Sequence, residues 1–219
     1  MIAAKITYRA APDVNHYGDH FWSSMDKGTA QVGVIAPNGD AVVLATSINS
    51  NFGAKVLSKR TGVLFNDVLS DFDLPTEKNQ YGLSASTANQ LAPRKRPLSS
   101  LAPSFVMRNK KVVVAVSASG GGRIISSIVQ VVMRILWMNR TVKQAIDLGR
   151  VHHQLLPNVL SAEETVNPGI VQKLRQRGHN VRVLSSWPND VMVMARGDDD
   201  RIYVTSDFRR QSNTDLDGE

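Results

Sequence analysis

One turn constrains this chain more than any other feature. Pro37-Asn38-Gly39-Asp40 separates two runs rich in Val, Ile, Ala and Thr, TAQVGVIA (29–36) and AVVLATSI (41–48). Asn-Gly readily adopts the positive φ angles of a tight turn, and between strand-like runs it specifies a β-hairpin. The first run alternates loosely and the second is nearly all apolar. That pattern predicts strands covered on both faces.

The rest of the chain supplies the layers around this unit. Residues 1–28 are polar and irregular after a short helical start, IAAKITYRA. Residues 73–97 form a long loop punctuated by proline, glycine and serine, a length usually reserved for functional loops such as lids. VVVAVSAS (112–119) reads as a buried strand that runs into Gly120-Gly121-Gly122-Arg123, with a helix to about Asn139. TVKQAIDLGRVHHQL (141–155) is expected to be a second helix, with Thr141 as its N-cap. PGIVQKLRQRG (168–178) is a third, opened by Pro168 and closed by Gly178. NVRVLSS, VMVMARG and RIYVTSD read as closing strands. Strands, then helices, then strands predict an α+β fold or layered sandwich rather than a βαβ ladder.

Composition excludes several classes. Apolar residues at 42% and charged residues at 21% fit a folded globule. The absence of cysteine rules out disulfides, thiolate metal sites and a cysteine nucleophile. The apolar stretch IISSIVQVVMRILWM (124–138) is short and carries Arg134, so it reads as a buried helix and no membrane contact is expected from this chain. MIAAKITYRAAPDVNHYG lacks the apolar region of a secretory signal. The formal charge of +7 permits an anionic partner. Arg94-Lys95-Arg96 is the densest basic run, but no aromatic or helical reading element accompanies it, so no nucleic-acid partner is expected. His152 and His153 are adjacent and poorly placed to share a metal, and neither a metal nor another cofactor is expected. Asn139-Arg140-Thr141 is a glycosylation sequon, relevant only to an exported chain.

Four features could carry chemistry. At Gly28-Thr29 a polar leader ends in glycine and a threonine opens a strand. Thr29 is either an ordinary strand residue or a nucleophile released by cleavage after Gly28. In the second case its own α-amino group, titrating near neutrality, would serve as the base. Ser99 and Ser100 offer two adjacent hydroxyls, for a carboxylate or simply for a turn. The triple glycine 120–122 can present backbone N–H groups to an oxyanion at the positive end of a helix, or can be a tight turn. The acids of FNDVLSDF, Asp67 and Asp71, are either receptors for an amino group or solvated turn residues.

Taken in order, these stretches resemble the small, catalytic polypeptide of gamma-glutamyltransferases (gamma-glutamyltranspeptidase, glutathione hydrolase). The resemblance rests on TAQVGVIAPNGDAVVLATSINSNFG, TGVLFNDVLSDFD, NQYGLSASTANQLAPRKRPLSSLAPS, SASGGGRIISSIVQ and RVHHQLLP, and runs over roughly residues 26–205. It implies the four-layer αββα sandwich of N-terminal-nucleophile hydrolases, of which this chain would be the half contributed by the small subunit. It implies that residues 1–28 are a leader, the remnant of the C-terminal end of a large subunit. Residues 29–219 would be the catalytic domain. By the same resemblance Thr29 is the nucleophile and Ser47 the hydroxyl that supports it. Asn49 and Asp71 bind the α-amino and α-carboxylate end of the gamma-glutamyl group, and Ser99 and Ser100 grip its carboxylate. Gly120 and Gly121 form the oxyanion hole, and Tyr81 lies on the lid loop. The implied substrates are glutathione and other gamma-glutamyl compounds, with acceptor amino acids or water taking the acyl group. The implied partner is a large subunit, and the implied location is extracellular, periplasmic or at the cell surface.

The chain also departs from the family pattern. Val68 stands where Glu or Gln usually helps to hold the substrate amino group, which predicts weaker binding by about 1.5–3 kcal/mol. Gln31 stands where His is common, and the usual Gly-Tyr ending is missing. With about 28 residues before Thr29, the chain is expected to be a fragment or a light-chain-only product. The alternative to an active enzyme is a catalytically impaired light-chain-like protein that acts through a partner chain.

Overall fold

The computed structural model describes residues 2–11, 13–17, 28–74 and 86–210. The chain is α+β and divides into two compact units. The first unit comprises residues 1–24, 69–98 and 149–187, and the second residues 25–68, 99–148 and 188–219.

In the second unit the hairpin forms as the turn dictates. β1 (Thr29–Ile35) pairs antiparallel with β2 (Ala41–Ser47), with Thr29 opposite Ser47 and Ile35 opposite Ala41. Gly39 takes φ +93 at the turn, a conformation that costs glycine little. The second sheet is antiparallel throughout, in the order β3 (Ser104–Arg108), β4 (Lys111–Ala118), β8 (Val191–Arg196), β9 (Ile202–Thr205). α1 (Arg123–Leu136) and α2 (Val142–Asp147) cover it. Val114, Val116 and Val193 from the sheet meet Ile124, Val131 and Ile146 from the helices, all fully buried. Each such side chain contributes about 1.5–3 kcal/mol by leaving water.

The hairpin corrects one expectation. Val32, Val34, Val42 and Leu44 are between 52% and 63% exposed, so one apolar face of β1 and β2 lies open among the described residues. On the other face Gly33 allows close approach to β8, since a Cβ there would fall 2.6 Å from the methyls of Met192 and Met194.

α2 stops earlier than the sequence pattern suggests, at Asp147, and Val151–His152 form β5 instead of a further helical turn. His152 therefore lies in a strand and His153 directly after it, and neither is in a helix. The start of α2 is as expected. The Thr141 hydroxyl accepts from the Gln144 N–H at 3.2 Å, and the Gln144 side chain accepts from the Thr141 N–H at 3.2 Å. Losing such a capping box costs about 1 kcal/mol. Thr141→Ala is accordingly expected to lower the melting temperature by roughly 2–4 °C in a thermal scan.

The first unit contains a three-stranded sheet in the order β5, β6 (Leu160–Glu163), β7 (Val181–Leu184). β6 and β7 run parallel, joined through α3 (Pro168–Gln176), so the chain does contain one βαβ crossover. Asn167 caps α3 by accepting from the Gly169 N–H at 2.8 Å, and Gly178 with φ +94 follows its end. Leu160, Ala162, Val166, Val171 and Val181 form the core of this unit. Arg150 is fully buried here, and its backbone N–H donates to the Glu163 carboxylate at 3.1 Å. Gly149 has no room for a Cβ, which would sit 2.6 Å from the Val166 nitrogen.

Candidate active site

The first residues of β1 and the last of β2 build the candidate nucleophile site. Their cross-strand pairing puts Thr29 against Ser47, and the Thr29 hydroxyl donates to Ser47 Oγ at 3.3 Å. The Ser47 hydroxyl donates to the Gly28 carbonyl at 3.4 Å, and the Asn49 N–H donates to Ser47 Oγ at 3.0 Å. The Gly28 carbonyl also accepts from the Ile48 N–H at 2.9 Å. The peptide carbonyl before Thr29 thus receives two hydrogen bonds, and both draw electron density from its carbon. Gly28 is confined as well, since a Cβ there would lie 2.6 Å from the Ser50 carbonyl oxygen.

Asn49 is 5% exposed and takes φ 68, a left-handed conformation that asparagine tolerates better than most residues. Asp67 holds the turn around it. Its carboxylate accepts from the Ser50 N–H at 2.9 Å, and its backbone carbonyl accepts from Asn49 Nδ2 at 3.4 Å. Burial pushes the Asp67 carboxyl up. The hydrogen bonds from Ser50 and from its own backbone N–H, together with the Lys55 charge, outweigh burial and leave it below its usual value. A depressed carboxyl stabilises the fold above the unfolded-state value near 3.8, and that contribution disappears as pH falls through the lower folded value. Asp67→Asn is therefore expected to destabilise at neutral pH. The difference from wild type should shrink below about pH 4 in a pH series of urea midpoints.

The glycine turn lies at the end of β4. Gly120 and Gly121 take φ +107 and +61, and Gly122 is the N-cap of the 14-residue helix α1. Gly120 cannot be replaced without movement, because a Cβ would stand 2.4 Å from the Pro188 carbonyl oxygen. The turn lies at the N-terminal, positive end of α1. Ser99 and Ser100 precede β3. β3 opens at Ser104 opposite Val116, so the chain before it runs toward the end of β4 that carries the glycines. Ser99 is exposed, and its hydroxyl accepts from the Leu101 N–H at 3.2 Å, an ST-turn.

Thr29, Ser47, Asn49, Ser99, Ser100, Gly120 and Gly121 all belong to the second unit. Asp71 belongs to the first, at the end of a 3₁₀ turn, where its backbone carbonyl accepts from Asn89 Nδ2 at 2.7 Å. Tyr81 lies outside the described residues. Sequence reasoning does not single out the carbonyl of Gly28, nor Asn189 and Asp190, which touch the glycine turn. The Trp187-Pro188-Asn189-Asp190 run before β8 is the available signal, but nothing local ties it to a glycine turn 70 residues earlier. Among the described residues, no group of three or more His, Asp or Glu side chains is arranged to hold a metal ion.

The chain is similar to known proteins in sequence and in fold. The family profile described as Gamma-glutamyltranspeptidase matches residues 1–215. Scoloptoxin SSD14 of Scolopendra dehaani is 41% identical over 201 residues, covering 91% of this chain and 35% of the relative. Glutathione hydrolase proenzyme 1 of Schizosaccharomyces pombe is 32% identical over 201 residues, again 91% of this chain and 32% of the relative. The chain thus spans about a third of the length of these two relatives. It spans 98% of Scoloptoxin SSD20 of Scolopendra dehaani, which is 40% identical over 87% of this chain. Among solved structures, a Helicobacter pylori gamma-glutamyltranspeptidase variant superimposes with a TM-score of 0.74 at 29% identity, covering 82% of this chain and 98% of the matched one. The fold is that of the N-terminal-nucleophile hydrolases. The chain belongs to the gamma-glutamyltranspeptidase family.

Proposed function

We propose that this chain is a gamma-glutamyl transferase/hydrolase acting on glutathione and gamma-glutamyl conjugates, with Thr29 as its nucleophile after cleavage from Gly28. The observation that carries the reading is the hydrogen-bonded cluster of Thr29, Ser47 and the Gly28 carbonyl. In the cleavage step the Thr29 oxygen attacks the Gly28 carbonyl carbon and its proton passes toward Ser47. The developing oxyanion is held by the Ile48 N–H and the Ser47 hydroxyl. The C–N bond then breaks, the departing amine takes the proton that Thr29 gave up, relayed by Ser47, and water hydrolyses the resulting ester to the Gly28 carboxylate and the free Thr29 hydroxyl. Thr29 is left with a free α-amino group, which can accept the proton of its own hydroxyl.

In turnover Thr29 attacks the gamma-glutamyl amide. The N–H groups of Gly120 and Gly121 stabilise the tetrahedral oxyanion. Asn49 and Asp71 hold the amino-acid end of the substrate, and Ser99 and Ser100 its carboxylate. The acyl group passes to water or to an amino acid. Residues 1–28 are the leader and residues 29–219 the catalytic part. The leader carries Lys5, Arg9 and Lys27 against Asp13, Asp19 and Asp26, so the +7 belongs to the catalytic part and suits an anionic substrate.

In this reading a large subunit raises the chain to full activity. The exposed Val32, Val34, Val42 and Leu44 form an apolar sheet face of the kind a covering layer buries. The family's extracellular, periplasmic or cell-surface setting extends to this chain by the same proposal. The same open face, with Val68 in place of a polar residue, favours a second reading: an impaired light-chain-like protein that acts only with a partner. Release of p-nitroaniline from gamma-glutamyl-p-nitroanilide separates the two. Turnover by the purified chain supports the enzyme and sinks the second reading. A chain that neither cleaves nor turns over contradicts the first.

A further inference from the structure

Asp190 has no part in the chemistry described above, yet three segments converge on its carboxylate. Gln31 Nε2, two residues after Thr29 on β1, donates to Oδ2 at 2.7 Å. The Ser119 hydroxyl, immediately before Gly120, donates to Oδ1. An Arg210 guanidinium nitrogen lies 3.8 Å from Oδ2. The main chain repeats the connection, because the Ser119 N–H donates to the Asp190 carbonyl at 2.9 Å. Asn189 Nδ2 donates to the Ser119 carbonyl, and Gly120 packs against Pro188 and Asn189 too closely for any Cβ. The Asp190 side chain is 17% exposed, so these bonds act in a partly water-excluded place where hydrogen bonds to a charge are strongest.

We propose that Asp190 is a positioning residue that sets the register between Thr29 and the oxyanion-binding N–H groups of Gly120 and Gly121. The proposal rests on the reading of those residues given above. A carboxylate is acceptor-only, so it can take the Gln31 amide on one oxygen and the Ser119 hydroxyl on the other. An amide in its place offers one acceptor atom and turns its NH₂ toward one of two donors. The nucleophile strand and the glycine turn then lose their common anchor. Misplacement of reacting groups by about 1 Å costs on the order of 10²-fold in rate.

The test compares wild type with Asp190→Asn and Ser119→Ala in the 219-residue chain. Turnover of gamma-glutamyl-p-nitroanilide is combined with residue-resolved amide hydrogen exchange. The expected result for Asp190→Asn is a kcat lower by roughly 10²-fold with KM within about twofold. Exchange should rise at Ser119–Gly122 and in β1, while the β5-β6-β7 sheet stays as in wild type. Ser119→Ala should show the same pattern at smaller amplitude. Asp190→Glu, which keeps the charge, should recover part of kcat. The proposal is overturned by unchanged exchange at Ser119–Gly122, by a uniform rise across the second unit, or by a loss confined to KM. A wild-type chain without cleavage or turnover refutes the assignment of the site. The exchange pattern then decides alone whether Asp190 clamps β1 to the glycine turn.

Discussion

Thr29→Ala is expected to leave the Gly28–Thr29 bond intact and to reduce gamma-glutamyl-p-nitroanilide turnover by at least about 10⁴-fold, the scale on which removal of a catalytic nucleophile acts. The fold should survive. Thr29 is half-buried, and its hydroxyl donates to Ser47 over a long 3.3 Å. Loss of such a bond costs about 1 kcal/mol. The melting temperature of the variant should therefore stay within a few degrees of wild type. Thr29→Ser keeps an oxygen at the same place and should retain slow cleavage and measurable turnover. If Thr29→Ala turned over substrate at the wild-type rate, another group would have to be the nucleophile. If Thr29→Ser matched Thr29→Ala, the hydroxyl would not be what matters at this position.

The largest effect on stability is expected at Asp207. Asp207 and Arg209 form an ion pair at 3.0 Å, with side chains 1% and 4% exposed. The second Asp207 oxygen accepts from the Val191 N–H at 3.0 Å, at the first residue of β8. Arg209 also donates to the Ile146 carbonyl at 3.0 Å and to the Leu148 carbonyl at 3.5 Å, beside and beyond the end of α2. The pair thus ties the segment after β9 to both the sheet and the helix layer of the second unit. Such a pair adds little over an apolar replacement of the same volume, but removing one member strands the other charge without water. Asp207→Ala is expected to cost about 3–5 kcal/mol, a fall in melting temperature of roughly 10 °C or more. Arg209→Met should cost less, because Asp207→Ala also removes the acceptor of the Val191 N–H. A double variant should be less destabilised than the sum of the singles, since each already removes the shared bond.

Much of this architecture is legible in the sequence because its signals are local. The Asn38-Gly39 turn specifies the hairpin, Pro168 and Gly178 bracket α3, and Thr141 marks the start of α2. Each is a residue whose own backbone or short side chain decides the conformation. What escapes the sequence depends on distant parts of the chain. The helical pattern continues past Asp147, but Gly149 meets the Thr165–Val166 backbone and the Arg150 N–H bonds to Glu163, so the chain turns into β5. β3 carries Ser104 and Arg108 at its ends and reads weakly as a strand, and its pairing with β4 completes it. The parallel pairing of β6 with β7 is hidden because LSAE has almost no strand character of its own.

The candidate site divides the same way. Thr29, Ser47 and Asn49 sit on one hairpin, so the turn that fixes the register also fixes their proximity. The glycine turn is visible from its composition, and its left-handed φ angles explain why glycine stands there. Asp190 is not visible, because its partners are 159 and 71 residues away. The apolar face of Val32, Val34, Val42 and Leu44 reads as covered, since a strand's sequence records only that a face is apolar. It does not record which chain covers that face.

The central claim is that cleavage at one peptide bond creates the nucleophile. Intact-mass spectrometry of the wild-type chain over a long incubation, with tandem sequencing of the new N-terminus, tests it most directly. The 24.0 kDa species is expected to give way to a product beginning at Thr29 and a complementary fragment ending at Gly28. A chain that keeps its full mass, or that is cut anywhere other than between Gly28 and Thr29, would contradict it.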